Sequence, residues 1–192
     1  MKKVEGKEGE RRLKIYELAV QATNEFQTHQ FEDSIRTLNE LLQLKPTSLV
    51  VQHNIAVAKY YLENKKDLGK FYDELKNLEE KHEEIIKGNR KGKEKEKEKE
   101  EENINIISYN IAIICLQDGR YKEAIEVLEN LFVRSHNVDE YLTFKISLIL
   151  LDLYLHQKLV TKASEMISYI EKTYNSNFLA QFKVTESHSN KR

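Results

Sequence analysis

Residues 104–134 constrain the fold more than any other stretch, because they read as two helices joined by a tight turn. In the first half, Ile107, Ile111 and Ile114 recur at helical spacing, and Cys115 lies on the same apolar stripe. Residues 117–120 then interrupt the pattern. From Tyr121 a second run begins, with Ala124, Ile125, Leu128 and Leu131 on one face. The stretch therefore predicts an antiparallel helical hairpin.

Four residues of this hairpin resemble the tetratricopeptide repeat pattern. Ala112 and Ala124 are small residues where the two helices would cross, Gly119 lies in the turn, and Tyr121 opens the second helix. Small side chains let two helix backbones approach closely, and glycine accepts a positive φ in the turn. The resemblance implies an all-α, tetratricopeptide-like right-handed solenoid of about four antiparallel helical hairpins.

The rest of the chain repeats this unit. The first hairpin carries Ser34 at the crossing position and the turn Thr28-His29-Gln30, which lacks the usual glycine. The motif Asn54-Ile55-Ala56 recurs as Asn110-Ile111-Ala112. The predicted organisation is a disordered leader (1–12), hairpins one and two (13–86), a charged low-complexity insertion (87–103), hairpins three and four (104–175) and a polar tail (176–192).

The insertion is the segment least like a repeat. Its alternation of Lys and Glu puts like charges four residues apart, which is unfavourable on a helix, and it has no apolar side chain for a core. Neither a firm helix nor a core strand is expected there. A role in nuclear import or RNA binding is less favoured than a solvated linker, because the interleaved Glu residues cancel the basic field and no aromatic side chain could stack on a base.

Composition and spacing speak against catalysis and against metal or cofactor binding. The net charge of -1 gives no general attraction to nucleic acid, and no apolar run is long enough to span a bilayer. The six histidines show no metal-ligand spacing, and no glycine-rich loop could hold a phosphate. Cys115 is expected to be a buried thiol, and Glu79 a solvent-facing carboxylate. We therefore expect no enzyme, no metal, no cofactor and no small-molecule substrate.

Longer stretches resemble a narrower family, the amino-terminal region of subunit 10 of the CCR-NOT complex. They are FEDSIRTLNELLQLKP, VVQHNIAVAKYYLENK with LKNLEEKHEE, the charged insertion, SYNIAIICLQDGRYKEAIEVLENLF and SLILLDLYLHQKLVTKASEMISYIEK. The insertion and the LLDLYL helix discriminate most, since generic repeats have neither. The resemblance implies a non-catalytic scaffold or adaptor in mRNA deadenylation, decay and translational repression, located in the cytoplasm and nucleus. The implied partners are the NOT scaffold subunit and the eleventh subunit, with no direct contact to nucleic acid or membrane.

Repeat geometry also suggests binding residues. We expect Gln52, Lys59, Tyr60 and Tyr109 to face the concave groove, and Ile167, Ile170 and Tyr174 to form an uncovered terminal face. An alternative is a co-chaperone-like repeat adaptor that grips an acidic carboxyl terminus with Lys, Asn and Arg side chains. Asn54 would suit that role, but residues 104–117 contain no Lys or Arg to neutralise a carboxylate.

Overall fold

The computed structural model describes the backbone of residues 2–88, 94–135 and 139–174, and the side chains of 8–84, 103–135 and 139–174. These residues form helices and no strand, as the sequence predicts. The helices are α1 (Lys2–Gln27), α2 (Phe31–Leu44), α3 (Leu49–Leu62), α4 (Leu68–Gly88), α5 (Glu94–Gln117), α6 (Tyr121–Ser135), α7 (Glu140–His156) and α8 (Val160–Thr173). No helix in the described part of the chain is long and apolar enough to cross a bilayer.

The first helix of every hairpin ends in the same way. A residue of positive φ follows each of α1, α3, α5 and α7, and the next backbone N–H donates to the carbonyl five residues earlier. In the third hairpin Gly119 has φ 72°, and the N–H of Arg120 donates to the carbonyl of Cys115 at 2.8 Å. In the first hairpin His29 takes the glycine position with φ 62°. The turn is thus set by a backbone motif that does not require glycine.

The chain forms two compact units, of which the first runs from Met1 to Ile107. Its core joins the facing sides of α1, α2 and α3 through Leu18, Ala22, Leu38, Leu41, Val51 and Ile55. The predicted small crossing residue Ser34 is fully buried, and its hydroxyl donates a 2.9 Å hydrogen bond to the carbonyl of Ala22. A buried hydroxyl is tolerated there because it has an acceptor.

The second unit runs from Ser108 to Arg192 and contains the end of α5 with α6, α7 and α8. Ala112 and Ala124 are both fully buried, as their assignment to the crossing point requires. Other fully buried residues of this unit are Ile111, Cys115, Leu128, Leu131, Ile146 and Leu150. The predicted burial of Cys115 is therefore confirmed.

Two predictions about secondary structure are wrong. The expected leader is helical, since α1 begins at Lys2, and α5 extends into the expected insertion as far as Glu94. Strict Lys/Glu alternation puts opposite charges three residues apart as well as like charges four apart, so the two effects largely offset each other. Lys, Glu and Arg are also good helix formers, and extending an existing helix needs no new nucleation. The predicted polar tail lies outside the described residues.

Candidate protein-interaction surfaces

The first unit contains a cavity of about 500 Å³ beside α1, α2 and α3. Helix α1 contributes a stripe at helical spacing, Ala19, Thr23 and Phe26, and α3 contributes Val50, Asn54 and Val57. The rest of the lining is Ile15, Ala22, Ser34, Leu38, Leu41, Lys45, Ser48, Val51 and Asn103. The floor is thus largely apolar, with neutral polar groups around it and the ammonium group of Lys45.

Several polar groups that line the cavity already form hydrogen bonds or polar contacts within the protein. The Ser34 hydroxyl is bonded to Ala22, and the Thr23 hydroxyl donates to the carbonyl of Ala19 at 2.8 Å. The exposed Asn54 places Oδ1 3.2 Å from Nδ1 of the buried His53. Burial lowers the pKa of His53 and outweighs the contact with Asn54, which raises it. The imidazole beside the cavity is therefore neutral at neutral pH.

The predicted groove residues on α3 do not line this cavity. The Tyr60 ring stacks on Phe71 of α4 with centroids 4.4 Å apart, and the Lys59 ammonium lies 3.4 Å from a Glu74 carboxylate oxygen. The half-buried Gln52 donates a 3.3 Å hydrogen bond to the carbonyl of Pro46. Lys59 and Tyr60 therefore contact α4, and their position in a concave groove stays a prediction, as does that of Gln52. Whether any of the three binds a partner stays a prediction.

Apart from Asn54, which the carboxylate-gripping alternative named, the cavity residues were missed because α3, LVVQHNIAVAKYYL, is apolar on nearly every side. Apolar spacing alone cannot tell which side of such a helix is covered by a neighbour. The series Val50, Asn54 and Val57 was the available signal, since it matches the spacing of Ala19, Thr23 and Phe26 on α1. An exposed Asn within an apolar stripe marks the side that is open.

In the second unit, the predicted residue Tyr109 is half-buried close to α7. Burial raises the pKa of its hydroxyl, the nearby Lys145 opposes this increase, and Tyr141 adds to it. The Lys145 ammonium lies 4.4 Å from the centroid of the Tyr141 ring. Along the same helix Leu148 and Leu155 are exposed at seven-residue intervals from Tyr141. Tyr109 thus lies near an open apolar stripe on α7, and its role in binding stays a prediction.

The predicted terminal face is only partly open. Ile167 is 41% exposed and Ile170 is half-buried, but Tyr174 is only 4% exposed. The extended backbone of Tyr174 ends α8, and its ring packs edge-on against Phe144 of α7, with centroids 4.7 Å apart. This burial raises the pKa of its hydroxyl well above the ordinary range. Tyr174 is therefore part of the packing, and its prediction as an exposed residue is wrong.

Glu79 also departs from the sequence prediction, because it is buried and pairs with Lys76 at 3.0 Å. Within the described residues no group of His, Cys, Asp or Glu side chains could hold a metal ion. The α1 side of the cavity has neither Lys nor Asn, so the Lys45 and Asn54 side chains, from outside α1, are among the groups there that could bind a carboxylate.

Comparisons with known proteins support the fold. No protein-family model matches the chain, and neither does any curated protein. The crystal structure of the nearly identical TPR-like repeats of a putative kinesin light chain from Podosopora anserina is similar, with a TM-score of 0.57 at 15% identity, and the match covers 95% of this chain and 89% of that one. A structure of PilF from Pseudomonas aeruginosa is less similar, with a TM-score of 0.40 at 15% identity, and the match covers 93% of this chain and 87% of that one. The fold is thus of the tetratricopeptide type, as predicted.

Proposed function

We propose that the protein is a non-catalytic adaptor that binds a segment of a protein partner in the cavity beside α1, α2 and α3. The observation that carries this proposal is the lining of that cavity, which combines an apolar floor with a few polar groups. Apolar side chains of a bound segment would fill the floor, and its backbone amides would bond to Thr23 and Asn54.

We further propose that the partners belong to the CCR-NOT deadenylase complex, with the NOT scaffold and the eleventh subunit as the direct contacts. The protein would then act in mRNA deadenylation and decay and in translational repression, in the cytoplasm and nucleus. This finer proposal is supported by the sequence resemblance, which spans four hairpins and the charged segment between them. The co-chaperone-like alternative is less favoured, because residues 104–117 contain no Lys or Arg and the α1 side of the cavity has neither Lys nor Asn.

Affinity purification of the whole chain at moderate salt, with mass spectrometry of the recovered proteins, tests both the adaptor proposal and the assignment to the CCR-NOT complex. The informative variant is Ala19→Glu with Val50→Glu, because both side chains line the cavity yet are exposed, so the fold should tolerate the charges. A matched control is Asn39→Glu with Gln43→Glu, two exposed positions on α2 outside the cavity lining. We expect the wild type and the control to recover the NOT scaffold, the eleventh subunit and the deadenylases.

The cavity variant should lose these partners by at least about tenfold, the loss expected when a central contact worth about 1.4 kcal/mol is removed. Equal recovery by both double variants would show that the cavity is not the binding site. In a further outcome, the wild type recovers other partners, with no CCR-NOT subunit among them. If the cavity variant loses those partners, the adaptor proposal stands and the assignment to the CCR-NOT complex is rejected. Recovery of chaperones alone would favour the alternative.

A further inference from the structure

The outer side of helix α1 carries an apolar stripe that faces water. Leu13, Tyr16 and Val20 recur at intervals of three and four residues, and they are 58%, 67% and 41% exposed. They lie on the side of α1 opposite Leu18 and Ala22, which pack in the core of the first unit. An exposed stripe at this spacing is typical of a helix that packs against another helix. None of its three residues lines the cavity of the proposed function, so the stripe is a separate surface.

Side chains of opposite charge flank the two sides of this stripe. At 100° per residue, Arg12 lies about 70° to one side of the stripe's centre and Glu17 about 70° to the other. In the notation of a coiled-coil heptad, the stripe occupies positions a and d, so Arg12 is at position g and Glu17 at position e. Both side chains are exposed. The Arg12 guanidinium donates to Oε1 of Glu8 at 2.7 Å, and its five N–H groups allow it to bind a second carboxylate as well.

These charges distinguish between the two ways in which two copies of α1 can pair. In a parallel pair, position g of one helix faces position e five residues further along the other, so Arg12 of each copy lies opposite Glu17 of the other. In an antiparallel pair, positions of the same letter face each other, so overlapping the two stripes brings the two Glu17 side chains together. Opposite charges favour the first arrangement and like charges oppose the second. The surface is thus complementary to itself in one orientation.

A membrane surface fits the stripe less well than a second protein does. A helix that lies on a membrane carries Lys and Arg on its polar face, whereas Glu10 and Glu17 occupy one flank of this stripe. The same face of α1 also has a shallow depression of about 470 Å³, which Tyr16, Val20 and Glu17 help to line. A depression beside exposed apolar side chains suits the side chains of a protein partner.

We propose that two copies of the chain associate through this stripe, with their α1 helices parallel and related by a two-fold axis. Leu13, Tyr16 and Val20 of each copy pack on the same residues of the other, as an isologous contact requires. The Arg12 and Glu17 side chains form two equivalent ion pairs at the edges of the contact. Because the contact spans only about two turns of helix, it belongs to the class of small, transient interfaces. The expected dissociation constant is on the order of 0.1 mM.

Sedimentation velocity of the purified full chain, from about 5 to about 500 µM, measures this association. The average mass of the wild type should rise with concentration from one chain toward two. Leu13→Glu with Val20→Glu puts two carboxylates into the stripe of each copy and should weaken association by at least about tenfold. The matched control, Asn39→Glu with Gln43→Glu, adds the same charge at exposed positions of α2 and should associate as the wild type does. A wild type that stays monomeric throughout, or equal association of the two double variants, would overturn the proposal.

Exchanging the two flanking charges tests the parallel orientation. Arg12→Glu alone and Glu17→Arg alone each put like charges opposite each other in both ion pairs, so each should weaken association about threefold to tenfold. The variant with both substitutions restores opposite charges and should associate within about twofold of the wild type. Single variants that associate as the wild type does, or a double variant that regains nothing, would contradict the parallel pairing.

A single cysteine tests the same orientation by a covalent bond. Leu13→Cys places two thiols opposite each other in the parallel dimer, because a residue at position a then faces the same residue of the other copy. Mild oxidation should therefore link Leu13→Cys chains at least about tenfold faster than Lys14→Cys chains, whose thiol is exposed but lies outside the stripe. The fully buried Cys115 stays reduced in both variants. Equal rates of disulfide formation would overturn the proposal.

Discussion

The hydroxyl of Tyr154 on α7 donates a 2.8 Å hydrogen bond to Oε1 of Glu129 on α6. The ammonium group of Lys162 on α8 pairs with the same carboxylate oxygen. Glu129 therefore links three consecutive helices of the second unit through one group. Tyr154 is almost fully buried, so this contact is part of the packing between the hairpins.

Replacing Tyr154 by Phe should lower the free energy of unfolding by about 1.5–3 kcal/mol, the range for a hydrogen bond to a charged group. Urea unfolding followed by circular dichroism measures the change. Tyr16→Phe removes a hydroxyl from an exposed ring on α1 and should change the free energy by less than about 0.5 kcal/mol. Equal effects of the two substitutions would mean that the Glu129 contact adds nothing to stability.

The same hydroxyl makes stability depend on alkaline pH. Burial, and then the bond and charge of Glu129, raise the pKa of Tyr154 well above its usual value near 10. The unfolded chain releases this proton near pH 10 while the folded protein retains it, so stability falls as the pH rises above 10. Between pH 9.5 and 11 the wild type should lose more unfolding free energy than Tyr154→Phe, by up to about 1.4 kcal/mol per pH unit. Parallel pH profiles of stability for the wild type and Tyr154→Phe would show that the folded protein does not retain the Tyr154 proton.

Equivalent turn positions should respond in opposite directions to substitution. Gly119→Ala should lower the unfolding free energy by about 1 kcal/mol, because φ is 72° and no atom within 4 Å would contact the added Cβ. The exposed Lys158 has φ 56° at the same point of the fourth hairpin, so Lys158→Gly should raise stability by about 0.5–1 kcal/mol. Thermal and urea unfolding measure both.

A control for the glycine effect is Glu126→Gly, at an exposed position within α6. Glycine there should cost up to about 1 kcal/mol, because the backbone already has ordinary helical dihedral angles. If Lys158→Gly destabilised the protein as Glu126→Gly does, the left-handed turn would not be strained.

The hairpins could be predicted from sequence because each needs only local signals. A small residue at the crossing, such as Ala112, and a break such as Gly119 suffice to place two helices and their turn. The directions of side chains on α3 could not be predicted, since apolar residues lie all round it. Which of Val57 and Tyr60 faces the open side depends on where α1 and α4 pack, and that information is not local.

Tyr174 shows the same limit at the end of α8. Its spacing from Ile167 and Ile170 places it on their stripe, but the helix ends at Thr173 and the extended backbone turns its ring onto Phe144. Helical periodicity cannot be extrapolated past the last helical residue. The direction of a side chain can be predicted from helical spacing up to the last residue of a helix, but not beyond it.

Enlarging the crossing point tests the placement of the repeat. Ala124→Leu should force α5 and α6 apart and lower the unfolding free energy by about 1–3 kcal/mol, because the position is fully buried; Ala112→Leu should act alike. Ala19→Leu makes the same change at an exposed position on α1 and should alter stability by less than about 0.5 kcal/mol. Unchanged stability in Ala124→Leu would mean that the helices do not cross there.

His53 should make stability fall in mild acid. Burial lowers its pKa below the usual 6.5, so the folded protein favours the neutral ring, while the unfolded chain takes up a proton near pH 6.5. Between pH 7 and 5 the wild type should therefore lose unfolding free energy relative to His53→Gln, by up to about 1.4 kcal/mol per pH unit. The contact with Asn54 raises the pKa, so Asn54→Ala should move the NMR titration midpoint of His53 to still lower pH. A wild-type midpoint at or above 6.5 would show that the ring beside the cavity is hydrated rather than buried.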